Sequence, residues 1–227
     1  MTAVAIFVKT PGRWPIKTRL AATLGETAAL AWYRAAIDAV ASVVQVARRP
    51  GFDPAYFAVA ESDALDEPCW SSLPRVAQGD GGLGERMARV HSTLVARHGA
   101  ALLLGADCPL IEVGEVREAL LALDRDAALA LLGPARDGGF WLFGANRTFA
   151  PKHWSAVSYS QADTARDFEA TLRRADADVE WRHLGLRGDV DVVEDLVRLV
   201  TEAPALVAPT AAQARCLDLS RTLVPAR

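Results

Sequence analysis

The sequence predicts an α/β domain in which a mostly parallel sheet is sandwiched between helices. Short apolar runs typical of strands alternate with longer segments whose apolar residues recur every three or four positions. The run at residues 100–105 is continuously apolar, as in a central strand covered on both faces. The chain has 227 residues, of which 51% are hydrophobic and 23% charged, so it can bury one substantial core.

The predicted strands and helices follow one another in regular order. Strands are expected at residues 4–8, 55–60, 75–77, 100–105, 127–132, 140–143 and 179–184. Helices are expected from about residue 25 to the Pro50-Gly51 break, and at residues 85–98, 113–123, 162–175 and 192–200. We therefore predict one three-layer α/β/α domain over residues 1–203. Prolines interrupt the tail at residues 204–227 and leave its packing open.

Composition argues against several classes of protein. A net charge of −3 does not suit a dedicated nucleic-acid binder, which needs a strongly positive surface. The longest apolar runs fall short of the roughly 18 residues of a membrane span, and residues 1–8 lack the charged start of a secretory signal. Three widely spaced cysteines indicate neither a disulfide framework nor a zinc site. We expect a cytoplasmic protein with no membrane span and no nucleic-acid partner.

A basic loop follows the first predicted strand. Lys9, Arg13, Lys17 and Arg19 fall within one short segment that also contains proline and glycine. Because ligands of open α/β sheets bind beyond the carboxyl ends of the strands, these cations could hold a polyphosphate. The Lys-Thr pair lacks the glycines of a P-loop, and a solvated loop without a ligand is the alternative.

A glycine-rich turn precedes the second predicted helix. Gly79, Gly81 and Gly84 match the G-x-G-x-x-G fingerprint of dinucleotide-binding folds, which keeps an NAD-dependent oxidoreductase open. The preceding strand is short, however, and the fingerprint does not follow the first strand of the chain. Together with Gln78 and Arg86, this turn could instead contact a nucleotide, or it could be only a flexible helix entry.

Two acidic positions are candidates for metal binding. Asp107 follows the buried strand at residues 100–105, where a carboxylate is costly unless it is paired or bound to a cation. Mg²⁺ takes one or two protein carboxylates and completes its coordination with water and substrate phosphates. Asp189 could be the second ligand, with Asp191 as the N-cap of the last predicted helix. For Asp107 the alternative is a helix cap or an ion pair with an arginine.

The segment Arg136-Asp137-Gly138-Gly139 lies between two predicted strands. Asp-Gly-Gly is first of all a turn signal. The side chains of Arg136 and Asp137 and the exposed backbone of the two glycines could also contact the hydroxyl groups of a sugar or an acceptor. A binding turn and a plain turn are both consistent with this pattern.

Five short motifs occur in an order that resembles a known bacterial family. They are Lys9…Pro11 with Lys17-Thr18-Arg19-Leu20, Gln78 with Leu83-Gly84-Glu85-Arg86-Met87, Gly105-Ala106-Asp107-Cys108-Pro109, Gly133-Pro134 with Asp137-Gly138-Gly139-Phe140, and Asp189-Val190-Asp191. Over residues 3–200 the chain resembles the bacterial family assigned as glycosyltransferases with a nucleotide-diphospho-sugar transferase (GT-A type) fold. That family is in turn similar to the 2-phospholactate and molybdenum-cofactor guanylyltransferases.

The resemblance implies roles for these motifs. Lys17 and Arg19 would hold the nucleotide phosphates, and residues 78–84 would line the base and ribose. Asp107 would bind Mg²⁺ or Mn²⁺, and residues 137–140 would face the sugar or acceptor. Taken with the loops above, the expected nucleotide-binding set is Lys9, Arg13, Lys17, Arg19, Gln78, Gly79, Gly84, Arg86, Gly138 and Gly139.

We expect a metal-dependent transferase that acts on a nucleotide sugar or a nucleoside triphosphate, with Asp107, Lys17 and Asp137 as its catalytic residues. In glycosyl transfer a nucleoside diphosphate leaves, whereas in guanylyltransferase-like transfer a phosphorylated acceptor attacks and pyrophosphate leaves. Trp14 stands where the family usually has glycine, which keeps a non-catalytic nucleotide-binding protein open. The acceptor and the oligomeric state are left open, a homodimer included.

Overall fold

The computed structural model describes residues 1–125 and 127–224. Its strands are β1 (Thr2–Val8), β2 (Ala55–Val59), β3 (Arg75–Ala77), β4 (Ala100–Gly105), β5 (Leu129–Pro134), β6 (Phe140–Ala145) and β7 (Glu180–His183). Its α-helices are α1 (Thr18–Leu24), α2 (Glu26–Ala47), α3 (Leu83–His98), α4 (Val113–Leu123), α5 (Pro151–Ser155), α6 (Thr164–Ala175), α7 (Val193–Glu202) and α8 (Ala211–Leu223). Strands and helices alternate over most of this part of the chain.

The strands form one seven-stranded sheet in the order β3-β2-β1-β4-β6-β5-β7. β6 pairs antiparallel with β4 and β5, whereas the other neighbouring strands pair parallel. The register places Val4 opposite Leu102 and Leu103 opposite Phe143. All strands except β6 therefore run in the same direction, and their carboxyl ends lie at one edge of the sheet. The predicted mostly parallel mixed sheet is confirmed.

Helices cover both faces of this sheet and create two apolar cores. Because side chains alternate along a strand, Leu102 and Leu104 of β4 face one core and Leu103 faces the other. The first core lies under α2, α4, α7 and α8, and the second under α3, α5 and α6. Each fully buried leucine or phenylalanine in them contributes about 1.5–3 kcal/mol by leaving water. The molecule is thus the three-layer α/β/α sandwich that the sequence predicts.

α2 is the longest helix of the first core. Its buried stripe includes Trp32, Tyr33, Ile37, Val40 and Val44. Among the described residues, α2 is the one helix whose length and composition would allow it to cross a membrane, a test that buried core helices also pass. Since 56% of its most apolar window is buried inside the fold, this is weak evidence for a membrane span.

The C-terminal tail forms α8, which packs against α2. Thr210 and Gln213 form a capping box at the start of this helix. The side-chain Nε2 of Gln213 is buried and donates to the carbonyl oxygens of Pro109 at 2.7 Å and Ile111 at 2.9 Å. α8 therefore supports the loop that follows β4.

Two short helices have no counterpart in the sequence prediction. A loop is expected up to about Leu20, whereas α1 begins at Thr18. α5 has Pro151 in its first turn and places Trp154 in the second core. Helices of five to seven residues are too short for a periodic apolar stripe, and they form here because single buried side chains dock them onto the domain.

His91 of α3 is fully buried in the second core. Its ring packs against Phe143 and Trp154, with centroid distances of 5.3 and 5.5 Å. Within the described part of the chain, neither ring nitrogen makes a hydrogen bond of normal geometry. Burial lowers the pKa of His91 to about 3, partly opposed by the backbone of Ala145. The native state therefore keeps this imidazole neutral.

We predict that His91 makes the fold less stable in acid. Below its ordinary pKa of about 6.5, this imidazole binds a proton in the unfolded chain but not in the native state. The free energy of unfolding should therefore fall by up to about 1.4 kcal/mol per pH unit between about pH 6 and pH 4. In His91→Leu this contribution is lost, so its unfolding free energy should fall less steeply with acid. Denaturant titrations of both proteins across this range measure the difference, and parallel profiles would contradict the prediction.

Candidate functional site

A cavity of about 530 Å³ opens at the edge where the carboxyl ends of the strands meet. The loops after β1, β4 and β5 and the segment after β7 line it, together with residues of α2 and α3. Its volume lies within the range of about 300–1,000 Å³ that is typical of small-molecule pockets. The sequence-predicted residues that the structure brings to its wall are Lys9, Lys17, Arg19, Gln78, Asp107, Asp137, Gly139 and Asp189.

Lys17 lies at the centre of this site. Its Nζ donates to Oδ2 of Asp107 at 2.7 Å and to Oδ1 of Asp191 at 2.6 Å. Only 7% of the Lys17 side chain is exposed. Its backbone adopts the left-handed conformation, with φ 51° and ψ 45°, which costs a non-glycine residue on the order of 1–3 kcal/mol. The two ion pairs offset this cost and connect three distant segments of the chain.

A cluster of three carboxylates lies beside Lys17, which pairs with two of them. Asp107, Asp189 and Asp191 each bring one carboxylate oxygen within 4.8 Å of the others. Burial, together with the nearby carboxylates of Asp107 and Asp137, raises the pKa of Asp189 to about 6. One lysine cannot neutralise three carboxylates, and oxygen ligands of this kind suit Mg²⁺ or Mn²⁺. The residues present therefore fit a divalent cation.

Asp107 and Lys17 keep opposite charges although both are largely enclosed. Burial favours the neutral acid, but the charge and hydrogen bond of Lys17 hold the pKa of Asp107 below its ordinary value. Burial also disfavours the ammonium, yet Asp107 and Asp191 together raise the pKa of Lys17. Both groups are therefore ionised at neutral pH, and Asp107 can act as an anionic ligand.

Hydrogen bonds hold the start of the basic loop in place. The backbone N–H of Lys9 donates to Tyr33 Oη at 3.0 Å. The N–H and hydroxyl of Thr10 donate to Oε2 of Glu61 at 2.8 and 2.7 Å. The side chains of Lys9 and Arg19 stay exposed at the cavity wall, where they can reach a phosphate.

Arg13 and Trp14 do not line the cavity. Arg13 forms ion pairs with Asp63 at 2.6 Å and Glu67 at 3.4 Å. Trp14 is 66% exposed. The indole that replaces the usual glycine therefore leaves the cavity open, and the Arg13 guanidinium is held by its two acidic partners.

Protein side chains and backbone fill the space beside the fingerprint glycines. At Gly79, which has φ +74°, a Cβ atom would lie 2.5 Å from the guanidinium of Arg89. At Gly84 it would lie 2.6 Å from the carbonyl oxygen of Trp154. Neither glycine lines the cavity. These glycines let α3 pack closely against its neighbours, which does not favour a role in binding the pyrophosphate of NAD.

Gln78 reaches the cavity wall but is also a structural residue. It is 5% exposed, and its Nε2 donates to the carbonyl oxygens of Val8 at 3.2 Å and Ala58 at 2.8 Å. Arg86 lies away from the cavity wall and donates from Nε to the carbonyl of Gly81 at 2.9 Å. Both side chains fix the glycine-rich turn.

Asp137 lies on the side of the cavity formed by the loop after β5. Its Oδ1 accepts a hydrogen bond from the N–H of Gly139 at 2.8 Å. Gly138 has φ +89° and lies so close to the backbone of Ala162 that a Cβ atom would collide with it. A more open groove of about 430 Å³ shares Ala135 and Asp137 with the cavity. Asp137 therefore lies where the cavity and the groove meet.

Several residues at the site were not predicted for it, among them Asp191, Tyr33 and Ser160. The sequence assigns Asp191 to helix capping, but Oδ2 of Asp195 accepts the N–H groups of Asp191 and Val192 instead. The spacing of Asp189 and Asp191 was the sequence signal that could have identified Asp191 as a site residue. Tyr33 was predicted only as part of the apolar stripe of α2. Ser160, with φ +61°, lies at the cavity wall and carries no local sequence signal.

Comparison with solved structures shows which fold this is. A protein of Desulfovibrio desulfuricans G20, provisionally described as a nucleotide-diphospho-sugar transferase, is 26% identical with a TM-score of 0.80, over 98% of this chain and 96% of that one. CMP:2-keto-3-deoxy-manno-octonic acid synthetase, complexed with CTP, is 15% identical with a TM-score of 0.55, over 90% of this chain and 99% of that one. The 4-diphosphocytidyl-2C-methyl-D-erythritol synthase of Anaerococcus prevotii DSM 20548 is 12% identical with a TM-score of 0.53, over 89% of this chain and 96% of that one. At identities of 15% and 12%, the last two show the shared fold alone.

The fold is therefore that of the nucleotide-diphospho-sugar transferases. No curated protein matches the sequence. The relation to guanylyltransferases that the motifs suggest stays a prediction. Residues 35–161, more than half of the chain, match the model of a family described as "Uncharacterized protein conserved in bacteria (DUF2064)", and the chain belongs to that family.

Proposed function

We propose that this chain is a divalent-metal-dependent transferase that acts on a nucleotide sugar, with glycosyl transfer as its reaction. One observation carries the proposal. Lys17, Asp107, Asp189 and Asp191 meet at the wall of a cavity large enough for a small molecule, at the sheet edge where α/β folds bind their ligands. This combination of cation and carboxylates matches what a metal-bridged diphosphate needs.

Each part of the site has a role in this proposal. Lys17, with the exposed side chains of Lys9 and Arg19, binds the phosphates and stabilises the charge that develops on them. Asp107 and Asp189 would hold Mg²⁺ or Mn²⁺. When bound, such an ion neutralises the diphosphate and makes the nucleoside diphosphate a better leaving group.

The acceptor would approach from the side of Asp137. The groove that shares this residue with the cavity opens to solvent, so a hydroxyl group could enter without displacing the nucleotide. Oδ1 of Asp137 is held by Gly139, and Oδ2 has no hydrogen-bond partner among the described residues. We assign to this oxygen the binding of the acceptor hydroxyl and the removal of its proton.

Structural similarity supports a nucleotide substrate. The protein of Desulfovibrio desulfuricans G20 provisionally carries the description nucleotide-diphospho-sugar transferase, and it shares 26% of its sequence with this chain. This likeness favours a nucleotide sugar over NAD. The packed environment of Gly79 and Gly84 agrees with that preference.

Nucleotidyl transfer is the second candidate. The fold is shared with a synthetase that was solved with CTP, a nucleoside triphosphate. A phosphorylated acceptor would then attack the α-phosphate, and pyrophosphate would leave. The same cation and carboxylates would serve this reaction, because it too concentrates negative charge on phosphate oxygens.

We predict that Asp107→Asn removes metal-dependent nucleotide binding. Isothermal titration with UDP-glucose, GDP-mannose, CTP and GTP should show Mg²⁺-dependent binding to the wild-type protein. In the variant, affinity for the probe that binds should fall about 10–100-fold, since a charged ligand to the cation is lost. With EDTA in place of Mg²⁺, the wild-type protein and the variant should bind the probe with the same, weaker affinity.

Asp218→Asn is the matched control for this experiment. Asp218 is an exposed acid on α8 that accepts a hydrogen bond from Arg221 at 2.7 Å, and it lies outside the cavity wall. Its replacement should leave nucleotide affinity unchanged. If none of the four probes binds the wild-type protein at millimolar concentration, both candidate reactions are excluded.

We predict that the leaving group will separate the two reactions. Glycosyl transfer releases a nucleoside diphosphate from a nucleotide sugar, and nucleotidyl transfer releases pyrophosphate from a triphosphate. Phosphorus NMR of wild-type protein incubated with Mg²⁺, a bound probe and a panel of acceptors distinguishes these products. Asp107→Asn should slow the productive reaction by about 10²–10³-fold, as does the loss of one group that stabilises transition-state charge.

A further inference from the structure

The Lys17 ammonium lies against two of the three carboxylates that could hold a divalent cation. Its Nζ lies 2.7 Å from Asp107 and 2.6 Å from Asp191, and oxygens of these two residues and of Asp189 lie within 4.8 Å of one another. An ion coordinated by the same carboxylates would lie close to the ammonium. Two cations so near each other repel, and this repulsion is stronger at a partly enclosed site than in bulk water.

Only 7% of the Lys17 side chain is exposed, so its ammonium has few alternative partners while the cavity is empty. A phosphate would supply one. The cavity wall that contains Lys17 also contains the exposed Lys9 and Arg19, so an anion bound there would lie beside the ammonium. The Lys17 ammonium could then leave the carboxylates and still have a negatively charged partner.

We propose that Lys17 is an internal counter-ion that exchanges with the divalent cation. Without a nucleotide, the ammonium neutralises Asp107 and Asp191 and lowers the affinity of the acidic cluster for a divalent ion. When a phosphate group arrives, the ammonium moves to it and frees the carboxylates for the metal. Metal and phosphate therefore favour each other's binding, and each must raise the affinity of the other by the same factor. This inference rests on the metal-dependent site of the proposed function.

The exchange predicts an unusual effect of removing a positive charge. In Lys17→Met, Mn²⁺ alone should bind more tightly than in the wild-type protein, by about tenfold or more, since the competing ammonium is gone. Inorganic pyrophosphate should raise the Mn²⁺ affinity of the wild-type protein but raise that of the variant much less. Mn²⁺ should also raise the thermal midpoint of Lys17→Met more than that of the wild-type protein, because the variant contains unneutralised carboxylates.

The chain offers two matched controls, because Lys9 and Lys152 are its other lysines. Lys9 lines the same cavity but makes no ion pair with the acidic cluster within the described structure. Lys152 is exposed on α5, away from the cavity wall. In the absence of pyrophosphate, Lys9→Met should change Mn²⁺ affinity by less than about threefold, a weak effect of exposed charge. Lys152→Met should not change it.

The experiment is Mn²⁺ titration of the four full-length proteins by calorimetry and by the electron paramagnetic resonance of free Mn²⁺, with and without pyrophosphate. If Lys17→Met does not fold, Lys17→Gln replaces it, since the amide can still donate to one carboxylate without a charge. Tighter Mn²⁺ binding with weaker coupling to pyrophosphate supports the exchange.

Equal or weaker Mn²⁺ binding by the Lys17 variant overturns the exchange, while nucleotide binding by the wild-type protein would still support the proposed function. An equal rise in Mn²⁺ affinity in Lys9→Met also overturns the exchange, because the loss of any positive charge near the site would then explain the effect. If neither the wild-type protein nor the Lys17 variant binds Mn²⁺, the metal-dependent site and the exchange fail together.

Discussion

The ion pairs of Lys17 with Asp107 and Asp191 are the interaction on which the site depends. A buried ammonium is costly when unpaired, and here the two half-buried carboxylates hold it at 2.7 and 2.6 Å. These contacts join the loop after β1 to the loop after β4 and to the segment before α7. Asp107 lies 90 residues and Asp191 lies 174 residues beyond Lys17 in the chain. The charge balance of the site is incomplete, however, because Asp189 adds a third carboxylate. A site built in this way favours ligands that bring both a cation and an anion.

Much of the support for this interaction comes from elements outside the loops that carry Lys17, Asp107 and Asp191. The single antiparallel strand, β6, leaves the carboxyl ends of β1, β4, β5 and β7 at one edge, so their loops converge. Behind the loop of Asp107, Gln213 of α8 satisfies the carbonyls of Pro109 and Ile111. A buried carbonyl left without a partner costs about 1–3 kcal/mol, so this contact helps to fix where Asp107 lies. The C-terminal tail thus contributes to the site through packing.

The sequence was most informative where the signal is local. Periodicity predicted the strands and the long helices up to α7, but not α8, and the position of Asp107 after a buried strand placed it at the ligand-binding edge. The sequence was least informative where a side chain pairs with a residue far away along the chain. Arg13 was expected beside the phosphates but pairs with Asp63 and Glu67, about 50 residues away. Asp191 was expected to cap a helix, yet it binds Lys17. Such choices depend on three-dimensional proximity, which spacing along the chain does not reveal.

The distribution of charge in the cavity also bears on which reaction it supports. In the proposed function, Lys17 and the three carboxylates would bind phosphate and metal, which glycosyl and nucleotidyl transfer both require. The choice between an anomeric carbon and a phosphorus atom must then depend on where the acceptor is held. Gly138 lies against the backbone of Ala162 too closely for any side chain, and this packing holds the turn that places Asp137 at the mouth of the open groove. On the proposal that Asp137 binds the acceptor, this turn after β5 would select the acceptor and, with it, the bond that breaks.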